Sequence, residues 1–113
     1  MKKIRYVDLS VKDKNLRKAY IASLNKIFNH GRFILGPEVD ILEKKLANLC
    51  NRKYAVATGS GTDALYLAIK SLELKKNDEI ITTPMSWVSS TNAIALNNVK
   101  PVFADINEDL NIN

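Results

Sequence analysis

Small and hydroxyl-bearing residues form the loop Thr58–Gly61, which follows a short apolar stretch and leads into a predicted helix at Thr62. Gly59 and Gly61 lack side chains, so a ligand can approach the backbone closely at both positions. A helix that begins after this loop presents unpaired N–H groups and the positive end of its dipole. Ser60 and Thr62 add two hydroxyl donors. The segment therefore predicts a site for a phosphate dianion.

Other interpretations of this loop remain open on these residues alone. A tight turn followed by a capped helix has the same composition and accounts for it equally well. No Gly-Lys-Ser/Thr follows, which excludes a Walker-type loop, and Ala64 stands where the third glycine of Gly-x-Gly-x-x-Gly would be, so a dinucleotide site is weakly supported. Asp63 would repel a phosphate, and we expect its side chain to point away or to bind another donor.

Trp87 follows a threonine- and serine-containing segment, just past a predicted strand. A tryptophan at this place can stack flat on a heteroaromatic ring, which contributes about 1 kcal/mol beyond burial. The alternative is a core tryptophan at the start of a helix. The phosphate loop ends one strand away, which favours a ligand that carries both a ring and a phosphate.

Hydrophobic periodicity and helix-terminating residues predict two helices ahead of the loop. The first spans about residues 11–29, with Ser10 as its N-cap and His30-Gly31 as its end. The second begins at Gly36-Pro37, with proline at the first helical position. Its predicted buried stripe consists of Val39, Leu42, Leu46 and Leu49. Cys50, the single cysteine, is expected to be a small core residue.

From Lys53 onward, strands and helices alternate. The predicted strands are Tyr54–Ala57, Glu79–Thr83 and Val102–Ile106, and the predicted helices are Thr62–Leu74 and Trp87–Leu96.

Short crossovers of this kind join parallel strands. The carboxyl ends of parallel strands lie at one edge of the sheet, where open α/β sheets bind ligands. We therefore expect three segments to meet there: Gly59–Thr62, Thr83–Trp87 and Asp105. Asp105 either caps the turn that follows it or takes part in chemistry, and the residues do not decide between these roles.

Four segments in this order resemble the N-terminal part of the DegT/DnrJ family of sugar aminotransferases: GRFILGPEVDILEKKLA, YAVATGSGTDALYLAIKSL, NDEIITTPMSWVSSTNAI and VKPVFADINEDLNIN. The resemblance implies the cofactor pyridoxal 5′-phosphate (PLP). It assigns Ser60, Gly61 and Thr62 to the cofactor phosphate and Trp87 to stacking on the pyridine ring. It also places Gly36 near the substrate entrance.

The resemblance implies an α/β fold: an incomplete parallel-sheet βαβαβ large domain of a PLP-dependent transferase (fold type I), preceded by two N-terminal helices. Residues 1–52 would be the helical segment, and residues 53–113 the first part of the PLP-binding domain. The implied reaction transfers an amino group, with glutamate as donor, to a nucleotide-linked keto-sugar for polysaccharide synthesis. The implied full-length enzyme is a homodimer.

In this family the Schiff-base lysine and the aspartate that pairs with the pyridine nitrogen lie beyond position 113. Neither Lys70 nor Lys100 ends a strand at the ligand edge. We therefore expect a fragment that carries no catalytic residue and is inactive alone. Two alternatives stay open: a PLP-dependent sugar dehydratase of the same family, in which histidine replaces the lysine, and a non-catalytic remnant. His30, the single histidine, lies in the wrong place to be that residue.

Composition excludes several other classes. The net charge is +5, but the basic residues are scattered and no aromatics interleave with them, which disfavours nucleic acid. No apolar run approaches the about 20 residues of a membrane span, and no apolar stretch follows the first lysines. We therefore expect a cytoplasmic protein without a membrane partner. We also expect no metal site.

Parallel strands with uncovered edges predict marginal stability and aggregation.

Overall fold

The computed structural model describes residues 6–113, which form two compact units, one ending at Ala55 and one beginning at Val56. The first unit contains α1 (Lys14–His30) and α2 (Pro37–Leu49). The second contains, in chain order, α3 (Gly61–Lys70), β1 (Glu79–Thr82), α4 (Ser89–Leu96) and β2 (Lys100–Phe103).

Helix α1 starts later than predicted and ends where predicted. The carboxylate of Asp13 accepts the N–H of Leu16 at 2.8 Å and so provides the N-cap. The prediction of Ser10 as the cap is wrong, because the Ser10 N–H instead donates to the Asp8 carboxylate at 3.1 Å in a turn ahead of the helix. Gly31 ends the helix with a φ of +67° and donates its N–H to the Ile27 carbonyl, which confirms that prediction.

Helix α2 begins as predicted, with Gly36 as the N-cap and Pro37 in the first turn. Gly36 has an ordinary φ of −74°, so its backbone does not require glycine. A Cβ at this position would lie 2.6 Å from the Arg32 carbonyl oxygen, far inside van der Waals contact. The close approach of two backbone segments therefore requires glycine here.

The predicted core of the first unit is wrong. Leu42, Leu46 and Leu49 are 41–81% exposed, Cys50 is also exposed, and Ala47 is the buried residue of α2. The leucines have helical spacing, but α1 and α2 do not pack along their lengths in the described residues. A stripe with the right period is buried only where another element covers it.

A side-chain pair joins the facing ends of these two helices. The Nε2 atom of His30 lies 3.1 Å from Oε1 of Glu38. The hydrogen bond from His30 lowers the pKa of Glu38 below its usual value. The carboxylate form of Glu38 is therefore favoured at this junction, in the first turn of α2 and close to the positive end of its dipole.

The second unit is built on two parallel strands. β1 and β2 pair in the register Glu79 with Lys100 through Thr82 with Phe103, and Lys100 Nζ contacts Glu79 Oε1 at 2.6 Å where both strands begin. Helix α4 makes the crossover and packs on both strands and on α3. The buried residues of this unit are Ala93, Ile94 and Val99. The predicted parallel arrangement of these two strands is confirmed.

The predicted strand Tyr54–Ala57 is not formed in the described residues, so the sheet there has two strands instead of three. A strand is defined by its ladder partner, and neither β1 nor β2 pairs with this segment. The third predicted strand is shifted: β2 ends at Phe103, and Ile106 forms a separate antiparallel bridge with Ile112. The predicted helices are shorter in the structure, because α3 ends at Lys70 and α4 begins at Ser89.

Asn97 fixes α3 against α4. Its Nδ2 donates to the Tyr66 carbonyl at 3.1 Å and to the Ala93 carbonyl at 2.8 Å, in a partly buried position. One side chain thus satisfies a carbonyl on each of the two helices. This cross-link joins the helices at a point away from their N-terminal ends.

We expect Asn97→Ala to lower the free energy of unfolding by about 1–2 kcal/mol, because two partly buried carbonyls lose their donor. Asn97→Asp should lower it further, since a carboxylate offers no donor and repels both oxygens. Urea unfolding followed by circular dichroism measures both effects. The control is Asn92→Ala, an exposed position on the same helix, which should change stability by less than about 0.5 kcal/mol. Equal losses at positions 92 and 97 would contradict this role.

Candidate functional site

The loop before α3 is held by its own hydrogen bonds. Thr58 Oγ1 donates to the Ser60 carbonyl at 3.0 Å, and Ser60 Oγ accepts the Asp63 N–H at 3.1 Å as the helix N-cap. The Ser60 carbonyl also accepts the Ala64 N–H, which is the first helical bond. Ser60 therefore combines a capping role with a hydroxyl that still carries its own hydrogen.

Two backbone donors at the start of α3 are open. The first turn of a helix presents N–H groups without intrahelical partners. Those of Asp63 and Ala64 are satisfied by Ser60, whereas those of Gly61 and Thr62 have no acceptor among residues 6–113. These two groups stand at the positive end of the helix dipole. This is the donor arrangement that binds an oxyanion.

The space beside Gly61 is empty. Apart from its chain neighbours and the nearby backbone of its own helix, a Cβ built on Gly61 meets no heavy atom of the described residues within 4 Å. At Gly59 the corresponding position lies 3.1 Å from Oδ2 of Asp63, so the carboxylate of Asp63 is turned toward Gly59. The negative charge thus lies beside one glycine, and the other glycine is left open to an approaching group.

The loop contacts the first turn of α4, two residues past the predicted segment Thr83–Trp87. Thr62 Oγ1 donates to Ser89 Oγ at 2.9 Å, which links the first turn of α3 to the first turn of α4. Ser89 is not among the residues predicted for the site. The signal for it was the hydroxyl-rich sequence SWVSST after a strand end, but only the crossover geometry selects Ser89 from this group.

Trp87 is 77% exposed and does not belong to the core of its unit. The alternative interpretation as a core tryptophan is therefore wrong for the described residues. Its carbonyl accepts the Ser90 N–H at 3.1 Å, in the turn that leads into α4. Met85 and Val88 on either side are also exposed. The indole ring is thus accessible at the same end of α4 that contacts the loop.

Asp105 makes the hydrogen bonds expected of a turn cap. Its Oδ1 accepts the Ile106 N–H at 2.8 Å, and its carbonyl accepts the Asn113 N–H at 2.9 Å. The two lysines considered from the sequence lie elsewhere: Lys70 ends α3, and Lys100 begins β2 paired with Glu79. Both stand away from the carboxyl ends of the strands.

The described residues offer neither a metal-binding cluster nor a membrane-spanning helix. Between Tyr6 and Asn113, no group of three or more histidine, cysteine, aspartate or glutamate side chains is arranged to hold a metal ion. No helix in that same stretch has both the length and the apolar character required to cross a membrane.

Comparison with known proteins gives relatives that are named as sugar aminotransferases or transaminases. The chain is 35% identical over 103 residues to the UDP-2-acetamido-2-deoxy-3-oxo-D-glucuronate aminotransferase of Pseudomonas aeruginosa, which covers 91% of this chain and 29% of that protein. Among curated relatives of this kind, the chain thus spans under a third of the protein's length.

Solved structures agree in fold. A DegT/DnrJ/EryC1/StrS aminotransferase from Brucella abortus superposes with a TM-score of 0.86 at 27% identity, over 98% of this chain and 30% of the other. The GDP-4-keto-6-deoxy-D-mannose-3-dehydratase of E. coli with bound hydrated PLP gives a TM-score of 0.79 at 31% identity, over 97% and 29%.

These superpositions confirm the predicted fold class, which is that of a PLP-dependent transferase. The family model of the DegT/DnrJ/EryC1/StrS aminotransferases matches all but the first 13 residues of the chain. By that match, over residues 14–113, the chain belongs to the DegT/DnrJ/EryC1/StrS aminotransferase family.

Proposed function

We propose that this chain is the N-terminal, cofactor-phosphate-binding part of a PLP-dependent aminotransferase. The proposed enzyme moves an amino group from glutamate to a nucleotide-linked keto-sugar and works as a cytoplasmic homodimer. The observation that carries the proposal is the start of α3, where two backbone N–H groups are open beside a glycine with free space.

These residues fit the phosphate of the cofactor. A phosphate dianion needs several donors and a positive potential, and it gains both at a helix N-terminus. The Gly61 and Thr62 N–H groups supply two donors, and the Ser60 and Thr62 hydroxyls can supply two more. The free space beside Gly61 lets an oxygen reach the backbone. The carboxylate of Asp63, turned toward Gly59, leaves this approach open.

Trp87 fits the ring of the same cofactor. Its exposed indole stands in the segment that leads into α4, and α4 is bonded to the phosphate loop through Ser89. When bound, PLP supplies an electron-accepting ring for the amino-group chemistry. The role of this chain is to anchor the phosphate, to cover one face of the ring and to exclude water from that face.

Support for the substrate comes from the relatives. The Pseudomonas aeruginosa enzyme is named for a UDP-linked oxo-sugar, and the family is named for aminotransferases. A dehydratase matches the chain at similar identity, so dehydration on the same cofactor is the second candidate. We further propose that the Schiff-base lysine and the aspartate that pairs with the pyridine nitrogen lie outside these residues, so that the chain binds cofactor without turning over substrate.

We expect Gly61→Ala to separate stability from binding. A methyl group at position 61 meets nothing in the fold, so the free energy of unfolding in urea should rise by about 0.5 kcal/mol from the reduced freedom of the unfolded chain. Binding of pyridoxamine 5′-phosphate (PMP), measured by calorimetry, should weaken because the methyl group occupies the space of the phosphate. PMP is the probe because, unlike PLP, it does not react with lysines. Unchanged PMP affinity would contradict the phosphate site.

We expect Trp87→Ala to weaken PMP binding by about two- to tenfold through loss of ring stacking, while Trp87→Phe retains most of the affinity. Inorganic phosphate is the matched control ligand, since it has no ring and should bind both variants equally. In the unsubstituted chain Trp87 is the single tryptophan, so its fluorescence should be quenched as PMP binds. Equal PMP affinity in all three proteins would contradict stacking.

The reaction is tested with ¹⁵N-labelled glutamate and a UDP-linked 3-keto-sugar. We expect ¹⁵N in the sugar product of the protein made from the complete reading frame where that protein continues past residue 113, and none from residues 1–113 alone. Loss of a sugar hydroxyl without ¹⁵N would instead establish the dehydratase. Cofactor binding with neither reaction would establish the non-catalytic remnant.

A further inference from the structure

We infer that Ser89 is a positioning residue for the cofactor phosphate and acts through Thr62. The inference rests on the proposed function, because it concerns the same phosphate site. It adds a second helix to that site: the start of α4 supports the ligand contacts that the start of α3 makes.

The geometry joins two residues that are 27 positions apart in the sequence. Thr62 Oγ1 donates to Ser89 Oγ at 2.9 Å, and the two hydroxyls stand on the first turns of α3 and α4. The N-terminal ends of both helices are thus one hydrogen bond apart. Both helix dipoles therefore present their positive ends to the same place, where a dianion gains from each.

This bond is not required to hold the helices together. Asn97 already bonds the Tyr66 and Ala93 carbonyls, and Ala93 and Ile94 on α4 are buried. In the Thr62–Ser89 pair, Thr62 is exposed and Ser89 is half-buried. Removing the Ser89 hydroxyl should therefore leave the packing of α3 and α4 intact and change only the local arrangement at Thr62.

The hydrogens of the Thr62 and Ser89 hydroxyls determine which of the two donates and which accepts. Each hydroxyl has one hydrogen to donate, and Thr62 gives its hydrogen to Ser89 in this structure. Within residues 6–113 the Ser89 hydrogen has no acceptor of its own. With a phosphate in place, Thr62 donates to a phosphate oxygen and Ser89 donates to Thr62 Oγ1. This reversal breaks no other bond.

The reversed pair strengthens the phosphate contact in two ways. A hydroxyl that accepts a hydrogen bond is polarised and becomes a better donor. The bond from Ser89 also keeps Thr62 Oγ1 in one rotamer, aimed at the ligand, so less side-chain freedom is lost on binding. Ser90, one residue further along α4, has Ser86 as its partner at 3.3 Å and makes no such bond with the loop.

A double-mutant cycle tests the inference. PMP affinity is measured by calorimetry for the unsubstituted chain, Ser89→Ala, Thr62→Val and the double variant. We expect Ser89→Ala to weaken binding by about fivefold and Thr62→Val by about tenfold, with the double variant within about twofold of Thr62→Val. Ser71→Ala, which removes a hydroxyl bond at the far end of α3, is the control and should bind PMP as the unsubstituted chain does.

A second readout separates positioning from a purely structural role. The second pKa of a phosphate monoester is about 6, and the ³¹P chemical shift follows this ionisation. Donors stabilise the dianion, so the pKa of bound PMP should be higher in Ser89→Ala than in the unsubstituted chain. Ser89→Thr, which keeps the hydroxyl, should restore both the affinity and this pKa. Circular dichroism verifies that each variant is folded.

The outcomes distinguish the two proposals. If the folded, unsubstituted chain binds no PMP, both the proposed function and the role of Ser89 are overturned. If it binds PMP and Ser89→Ala binds equally well, or the two losses in the cycle simply add, only the role of Ser89 is overturned. A folded Ser89→Thr variant that fails to restore affinity would also overturn it.

Discussion

The parallel pairing of β1 with β2 is the constraint on which the second unit depends. Parallel strands cannot be joined by a tight turn, so the chain must return along the face of the sheet before the second strand starts. Helix α4 makes that return, and its first turn therefore lies just beyond the end of β1. The same return packs α4 on α3 and brings Ser89 to Thr62. The contact between the first turns of α3 and α4 thus results from a rule of chain connectivity.

Local chemistry determined what could be predicted from the sequence. Gly31 ends a helix through its own backbone freedom, and Pro37 starts one because its missing donor is not needed there. The strand beginning at Glu79 and its parallel pairing with a later strand follow from the alternation of elements. The donors at the start of α3 also followed, because a helix N-terminus behaves similarly in every fold.

The errors concern features that depend on distant partners. The segment 54–57 has the composition of a strand, but a strand exists only when another strand pairs with it. The leucines of α2 have the period of a buried face, but burial requires a covering element. Ser89 could not be distinguished from its neighbouring serines because its partner is 27 residues away and is selected by the crossover. The prediction of Ser10 as the N-cap is wrong for a local reason: Asp13 caps the helix, and the Ser10 N–H bonds to Asp8 in the preceding turn.

Gly36 illustrates how a structural requirement can resemble a functional one. The resemblance to the family placed this glycine near a substrate entrance, whereas the structure shows that the Arg32 carbonyl leaves no room for a side chain. Any protein with this entry into its second helix would keep the glycine, whatever sugar it handled or none. The identity of residue 36 is therefore explained by the backbone path into α2, whether or not a substrate passes nearby. Comparisons among relatives that seek the determinants of sugar specificity should accordingly consider this steric requirement before any contact with a substrate.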